Sequence, residues 1–251
     1  MSKLFGMIHL PSLRNTDFDI NEIINYAIDE TKKLEDLGYD GIVIENFGDQ
    51  PFSSIKVEDE IIVKLSIICH ELRKVFSGSI GLNILRNATL QAMKIASILK
   101  LDFVRSNIWE GAYVTDQGII NGVAYDVMKT KRLMNSEVKI FADIFVKHAT
   151  PLADFSVLEA AEHALGRGGA DNIIISGRKS GGEIDYSMLD ELNSSGIKPI
   201  IGSGLKLDSI PKYKGKISGA IVGSAIKEKD ITSKIDMSKA SEFIKKWRME
   251  I

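Results

Sequence analysis

An α/β fold closed as a (β/α)8 barrel, the TIM barrel, is what this sequence predicts, and three observations predict it. Short apolar runs recur eight times along 251 residues, amphipathic segments separate most of them, and polar residues repeatedly come last in each run. Strands alternating with helices call for a parallel sheet with right-handed crossovers. A chain of about 250 residues closes such a sheet most simply as one barrel, so a single domain is expected over residues 1–251. A doubly wound open sheet is the alternative. Against it, no GxGxxG follows the first run, which also removes any nicotinamide or flavin motif, and no Pro/Gly/Ser-rich linker divides the chain.

The eight runs are LFGMIHL (4–10), GIVIENF (41–47), SIGLNIL (79–85), DFVRSNI (102–108), VKIFADIF (138–145), DNIIIS (171–176), KPIIGS (198–203) and GAIVGS (219–224). Their length and bounding turn residues fit buried strands. Between them, INEIINYAIDETKKLEDLG (20–38), EDEIIVKLSIICHELRKVF (58–76), TLQAMKIASILK (89–100) and SVLEAAEHALGRGG (156–169) return apolar residues at helical spacing. SKASEFIKKWRM (238–249) is expected as the eighth helix, with its basic end complementing the helix dipole.

Composition narrows the function. With 44% hydrophobic and 26% charged residues the chain can both fill and solvate a large core. Its 32 basic and 34 acidic residues sum to −2, which offers no positive field for nucleic acid. Cys69 is the single cysteine, so internal disulfides and cysteine zinc cages are excluded and a reducing cytoplasm fits. The start, MSKLFGMIHLP, has no signal-peptide pattern, and no run reaches the roughly 20 apolar residues of a membrane span. Peripheral membrane contact and self-association stay open.

A barrel keeps its chemistry at the C-terminal ends of its strands. His9, Glu45, Asn46, Asn83, Arg105, Asn107 and Asp143 stand there. Alternation along a strand puts Val43 with Glu45, Phe103 with Arg105 and Asn107, and Phe141 with Asp143 on shared faces pointing into the barrel. Buried charges need partners, so a mutually bonded cluster at the mouth is expected. In it Asp143 transfers a proton, holds a divalent metal with Glu45, or pairs with Arg105. His148 adds an imidazole, and Lys147 an amine suited to a Schiff base or to ordinary solvation.

Two Gly-Ser endings carry the sharpest signal. Gly202-Ser203-Gly204 closes the seventh run and Gly223-Ser224 the eighth, where glycine admits backbone amides to an anion and serine adds a donor. The loops after strands seven and eight are the common phosphate site of this fold. The pair is similar to that site in the tryptophan synthase α-subunit. Tight turns that merely need small residues are the bland explanation. After the fourth run, WEGAYVTDQGII (109–120) is expected as a long binding loop or lid, with Thr115 or Asp116 capping the next helix. In the sixth segment, Ser176 and Gly177 open SGRKSGGEID (176–185), suited to an anionic ligand.

GMIHLPSL, GIVIENFGDQPF, GLNILRN, FVRSNIWEGAYVTDQGII, KIFADIFVKHATPL, SGRKSGG, IIGSGL and AIVGSAIK, taken together and in this order, resemble the BtpA family over nearly the whole chain. That resemblance implies a barrel of the ribulose-phosphate-binding type. It places family motif positions at His9, Glu45, Asn46, Asp49, Asn83, Arg105, Asn107, Asp116, Asp143, Lys147, His148, Ser203 and Ser224. The expected function is binding of a small phosphorylated metabolite, with acid–base chemistry of the isomerase, epimerase, lyase or phosphohydrolase kind. A noncatalytic assembly or stability factor for a membrane protein complex is the alternative, since the family includes a photosystem I biogenesis protein.

Overall fold

The computed structural model describes residues 2–14, 19–54, 56–146, 149–177 and 184–251. Lys147 and His148, and residues 178–183 of the sixth segment, lie outside that set. All eight apolar runs form barrel strands: β1 (Lys3–His9), β2 (Gly41–Glu45), β3 (Ser79–Asn83), β4 (Phe103–Ser106), β7 (Lys139–Asp143), β9 (Asn172–Ser176), β10 (Ile200–Ser203) and β11 (Gly219–Val222). They close in that order, with β11 returning to β1, and each adjacent pair is parallel.

Helices α1 (Ile20–Asp36), α2 (Asp59–Val75), α3 (Thr89–Leu99), α4 (Ala124–Leu133), α5 (Val157–Glu162), α6 (Tyr186–Ser194) and α7 (Met237–Glu250) cover the strands. Local chemistry sets several of their starts. Asp19 with Glu22 and Ser156 with Glu159 form capping boxes on α1 and α5, and the Asp236 side chain accepts two amides of α7. The buried faces are the amphipathic ones, for example Ile23, Ala27 and Leu34 of α1 and Ala240, Phe243, Ile244 and Trp247 of α7.

Two expectations change. No α-helix follows β10 or β11 directly. Short 3-10 turns at Leu207–Tyr213 and Ser224–Ile226 take their place, and Pro211 lies inside the first. Residues 109–120 are also not a bare loop: β5 (Ala112–Thr115) and β6 (Gly118–Asn121) form a hairpin, and β8 (Ala149–Pro151) pairs antiparallel with β5. Thr115 and Asp116 therefore serve the hairpin turn, where the Thr115 hydroxyl donates to the Gly118 carbonyl at 2.8 Å, and Val123 is the residue that caps α4.

Alternation divides the barrel interior along its axis. Phe5, Met7, Val43, Phe103, Ile174, Ile200 and Ile221 fill the lower part, with Phe141 packed against them. Phe103 stacks on Phe141 at 4.4 Å between ring centroids and meets Phe5 edge-on at 5.1 Å. Gly81 makes this possible, because a Cβ there would fall 2.2 Å from the Phe103 ring.

Candidate functional site

Strand register assembles the mouth. His9 pairs across to Glu45, and Glu45 to Asn83, so three polar residues stand side by side at the tops of β1, β2 and β3. The Asn83 side-chain amide donates to Glu45 Oε2 at 2.9 Å, and His9 Nε2 lies 3.9 Å from Glu45 Oε1. All three are buried.

Arg105, one step above Phe103 on the inward face of β4, reaches Asp143 on β7 with two hydrogen bonds. Nε donates at 2.8 Å and Nη2 at 2.9 Å, a bidentate pair, and the Asn107 amide adds a third donor at 3.1 Å. Both Asp143 oxygens are thus engaged, which leaves that carboxylate serving the guanidinium. Gly202 packs beside the pair, where a Cβ would fall 2.4 Å from Ile174 Cγ2 and 3.3 Å from Arg105 Nη2.

These partners set the charges. Burial, reinforced by the positive charges of Lys227 and Arg105, holds His9 neutral with its pKa pulled down to about 3. Burial pushes the Glu45 carboxyl up, against the opposing pull of Arg105 and the Asn83 hydrogen bond. Burial also opposes the charge on Arg105, but Asp143 and Glu45 outweigh it and the guanidinium is held more firmly protonated. An acid easily protonated thus stands beside an imidazole that stays neutral.

Above this cluster opens a cavity of about 940 Å³. Its lining includes His9, Glu45, Arg105, Asn107, Asp116, Ser176, Gly202, Ser203, Gly204, Gly223 and Ser224. The two Gly-Ser endings therefore share one wall, and that wall touches the acid–base pair: a Cβ on Gly223 would lie 2.9 Å from His9 Cε1. Gly204 adopts φ +87°, a left-handed turn that glycine allows. Three residues of the lining, Asn107, Gln117 and Ser176, each carry a buried side-chain polar atom without a hydrogen-bond partner among the described residues.

Other expected site residues stand outside the lining. Asn46 and Asp49 anchor loops, because the Asp49 carboxylate accepts the Leu13 and Arg14 amides at 2.6 and 3.2 Å while Asn46 Oδ1 accepts the Leu85 amide at 2.8 Å. Asn83 orients Glu45, Asp143 orients Arg105, and the Gly177 amide donates to the Ser203 carbonyl at 3.3 Å. Metal candidates Glu45 and Asp143 gain no third ligand: among the described residues no group of three or more His, Cys, Asp or Glu side chains gathers. With Asp143 committed to Arg105, the donors among the described residues do not fit a divalent cation.

Sequence reasoning did not single out Arg86, Phe47, Phe52 and Gln117, which line the same cavity. Burial lowers the Arg86 pKa, opposed by the charges of Asp143, Asp116 and Glu45. Asn87 was missed too. Its amide donates to the Ile108 carbonyl at 2.9 Å and its oxygen accepts the Ile108 amide at 2.9 Å, tying the β3 loop to the hairpin base. Both arginine and asparagine lie in the quoted GLNILRN; only the tertiary fold gives them neighbours.

The model of the BtpA family matches residues 1–249. A protein of Methanocaldococcus jannaschii is 39% identical over 251 residues, covering 96% of this chain and 93% of its own. The photosystem I biogenesis protein BtpA of Synechocystis is 33% identical over 247 residues, covering 96% and 86%. In fold the chain is similar to KGPDC from Streptococcus mutans (TM-score 0.61, 15% identity, 100% and 99% covered). It is equally similar to N-(5'-phosphoribosyl)anthranilate isomerase from Pyrococcus furiosus (TM-score 0.61, 12% identity, 99% and 100% covered). At such identities these two likenesses concern the fold alone.

Proposed function

The chain belongs to the BtpA family, and on that premise we propose that it binds a small phosphorylated metabolite, a sugar or nucleoside phosphate, at the C-terminal barrel face and performs acid–base chemistry on it. The observation that carries this reading is the shared cavity: Gly202, Ser203, Gly204, Gly223 and Ser224 form one wall, and His9, Glu45 and Arg105 stand next to it. The names of several proteins with the same fold refer to phosphorylated sugars or phosphoribosyl compounds, which supports the choice of ligand.

In this reading backbone amides and the Ser203 and Ser224 hydroxyls hold the phosphate. Arg105, fixed by Asp143 and Asn107, orients ligand oxygens, with Ser176 and Asp116 at the rim. Glu45 moves the proton, since burial raises its pKa toward the working range of a general acid or base. Neutral His9 polarises an oxygen without taking charge. The roles expected of Asp143 and Asn83 become positioning ones. Lys147 and His148 stay outside this assignment.

The reaction remains within proton transfer at or near the phosphorylated carbon skeleton. A thermal-shift screen of phosphorylated metabolites tests the binding step, because a ligand that prefers the folded state raises its stability by mass action. A rise with at least one sugar or nucleoside phosphate is expected; no rise with any of them rules the site out.

A second reading, the noncatalytic assembly factor, draws on a different surface. The outer face of the β5–β6–β8 sheet exposes Val114, Ile119 and Leu152, at 46%, 60% and 58% of their surface. Val114 and Ile119 are direct cross-strand partners. Among the described residues no helix is long and apolar enough to cross a membrane, so contact with a membrane complex would use a surface of this kind. If Val114→Ser with Ile119→Ser abolished the cellular role while Glu45→Gln preserved it, this reading would replace the first.

A further inference from the structure

We infer that the phosphorylated ligand is a nucleoside 5'-monophosphate, a ribose phosphate carrying a flat heteroaromatic base; this rests on the phosphate reading above and adds the ligand class to it. Size is the first reason. At about 940 Å³ the cavity stands near the upper end of the roughly 300–1,000 Å³ of small-molecule sites. A bare sugar phosphate leaves much of that space unused.

The wall chemistry is the second reason. Passing round the rim from β10 and β11, the next strands are β1 with His9 and β2 with Glu45. The loop after β2 then adds Phe47, Pro51 and Phe52 to the lining. The Phe47 and Phe52 rings lie 6.5 Å apart at 63°, and Phe47 meets the His9 ring at 5.1 Å. Both phenylalanines are only partly buried. A sugar offers such an apolar aromatic wall only its C–H edges, whereas a nucleobase stacks on it with a whole flat face.

The hairpin tip is the third. It brings Asp116 and Gln117 to the cavity, and Gln117 Oε1 is buried without a partner among the described residues. An amide and a carboxylate together read the donor and acceptor edge of a base. Between the Gly-Ser wall and the aromatic wall, His9 supplies the ribose subsite, since β1 lies between β11 and β2 and His9 lines the cavity. Phosphate, ribose and base thus follow one another round the mouth.

Titration calorimetry on the full chain with inorganic phosphate, ribose 5-phosphate and the 5'-monophosphates of adenosine, guanosine, cytidine and uridine tests the assignment. At least one nucleotide is expected to bind roughly 5- to 150-fold more tightly than ribose 5-phosphate, the affinity equivalent of stacking one base on an aromatic side chain. Phe52→Leu is expected to erase most of that preference, bringing the nucleotide down toward the affinity of ribose 5-phosphate. Should that variant fail to fold, Gln117→Ala at the hairpin tip is expected to change the ranking among the four bases. Ribose 5-phosphate binding as tightly as every nucleotide overturns this inference and leaves the phosphate reading standing. Failure of every phosphate compound to bind overturns both. A nucleotide preference untouched by Phe52→Leu or Gln117→Ala overturns the placement of the base.

Discussion

The lower and upper parts of the barrel interior are built on the same strands, and one inward step separates Phe103 from Arg105, Phe141 from Asp143 and Val43 from Glu45. Below, the buried layer is apolar and interlocked, as Phe5, Phe103 and Phe141 show. Above, nearly the same depth of burial is given to a carboxylic acid, a neutral imidazole and a bidentate ion pair. Burying those groups costs solvation that apolar residues would not lose. The lower part is what a closed barrel needs to stand; the upper part is, in the proposed reading, organised around a ligand.

The largest effects should come from one residue in each part. Phe103→Ala opens a cavity against Gly81 and Phe141 and is expected to cost about 3–5 kcal/mol in urea unfolding. Arg105→Met leaves Asp143 buried and unpaired and is expected to cost a similar ~3–5 kcal/mol. The two differ in their rescue. Arg105→Met combined with Asp143→Leu is expected to recover most of the stability and none of the ligand binding, which would separate fold from function at this pair. If the double variant were as unstable as Arg105→Met alone, the pair would count as structural support comparable to the aromatic layer.

Acid dependence comes next. The His9 pKa falls from 6.5 to about 3 in the folded state. Its contribution is therefore complete above pH 6.5 and is lost as the pH drops toward 3. Glu45 works in the opposite sense: its raised pKa favours the folded state at low pH, and that advantage fades as the pH rises through the folded value. Glu45→Gln is thus expected to raise the melting temperature at neutral pH while removing proton transfer, and His9→Gln to flatten the loss of stability between pH 6.5 and 3. A melting temperature lowered by Glu45→Gln at neutral pH would contradict the charge assignment. The smallest effect belongs to the outer sheet, where Ile119→Ser is expected to stay within about 0.5 kcal/mol of the parent and to leave ligand affinity intact.

How legible each part was in the sequence follows the same division. Each apolar run became a barrel strand because a buried parallel strand declares itself locally, and the polar residue at its end marked the mouth. Alternation then placed Glu45, Arg105 and Asp143 inward correctly. The hairpin at β5 and β6 escaped because its strands are four residues each with only Tyr113 and Ile120 buried, so they lack the continuous apolar run that marked the barrel strands, and β8 joins them only from Ala149–Pro151. Asn46 and Asp49 sit next to Glu45 in sequence, yet their hydrogen bonds turn away to Leu85 and to the Leu13 and Arg14 amides. Arg86 and Phe52 reach the cavity only because the loops after β3 and β2 bend over it, a matter of tertiary structure that strand-end counting does not see.

The central claim is that the Gly-Ser wall of the mouth holds a phosphate, and calorimetric titration of ribose 5-phosphate into the parent chain and into Ser224→Asp measures it most directly. Ser224 is exposed, so the substitution spares the core, and a carboxylate there repels the incoming anion. The account predicts saturable binding to the parent and none detectable to a folded Ser224→Asp variant. Equal binding by both, or no binding by the parent, would contradict it.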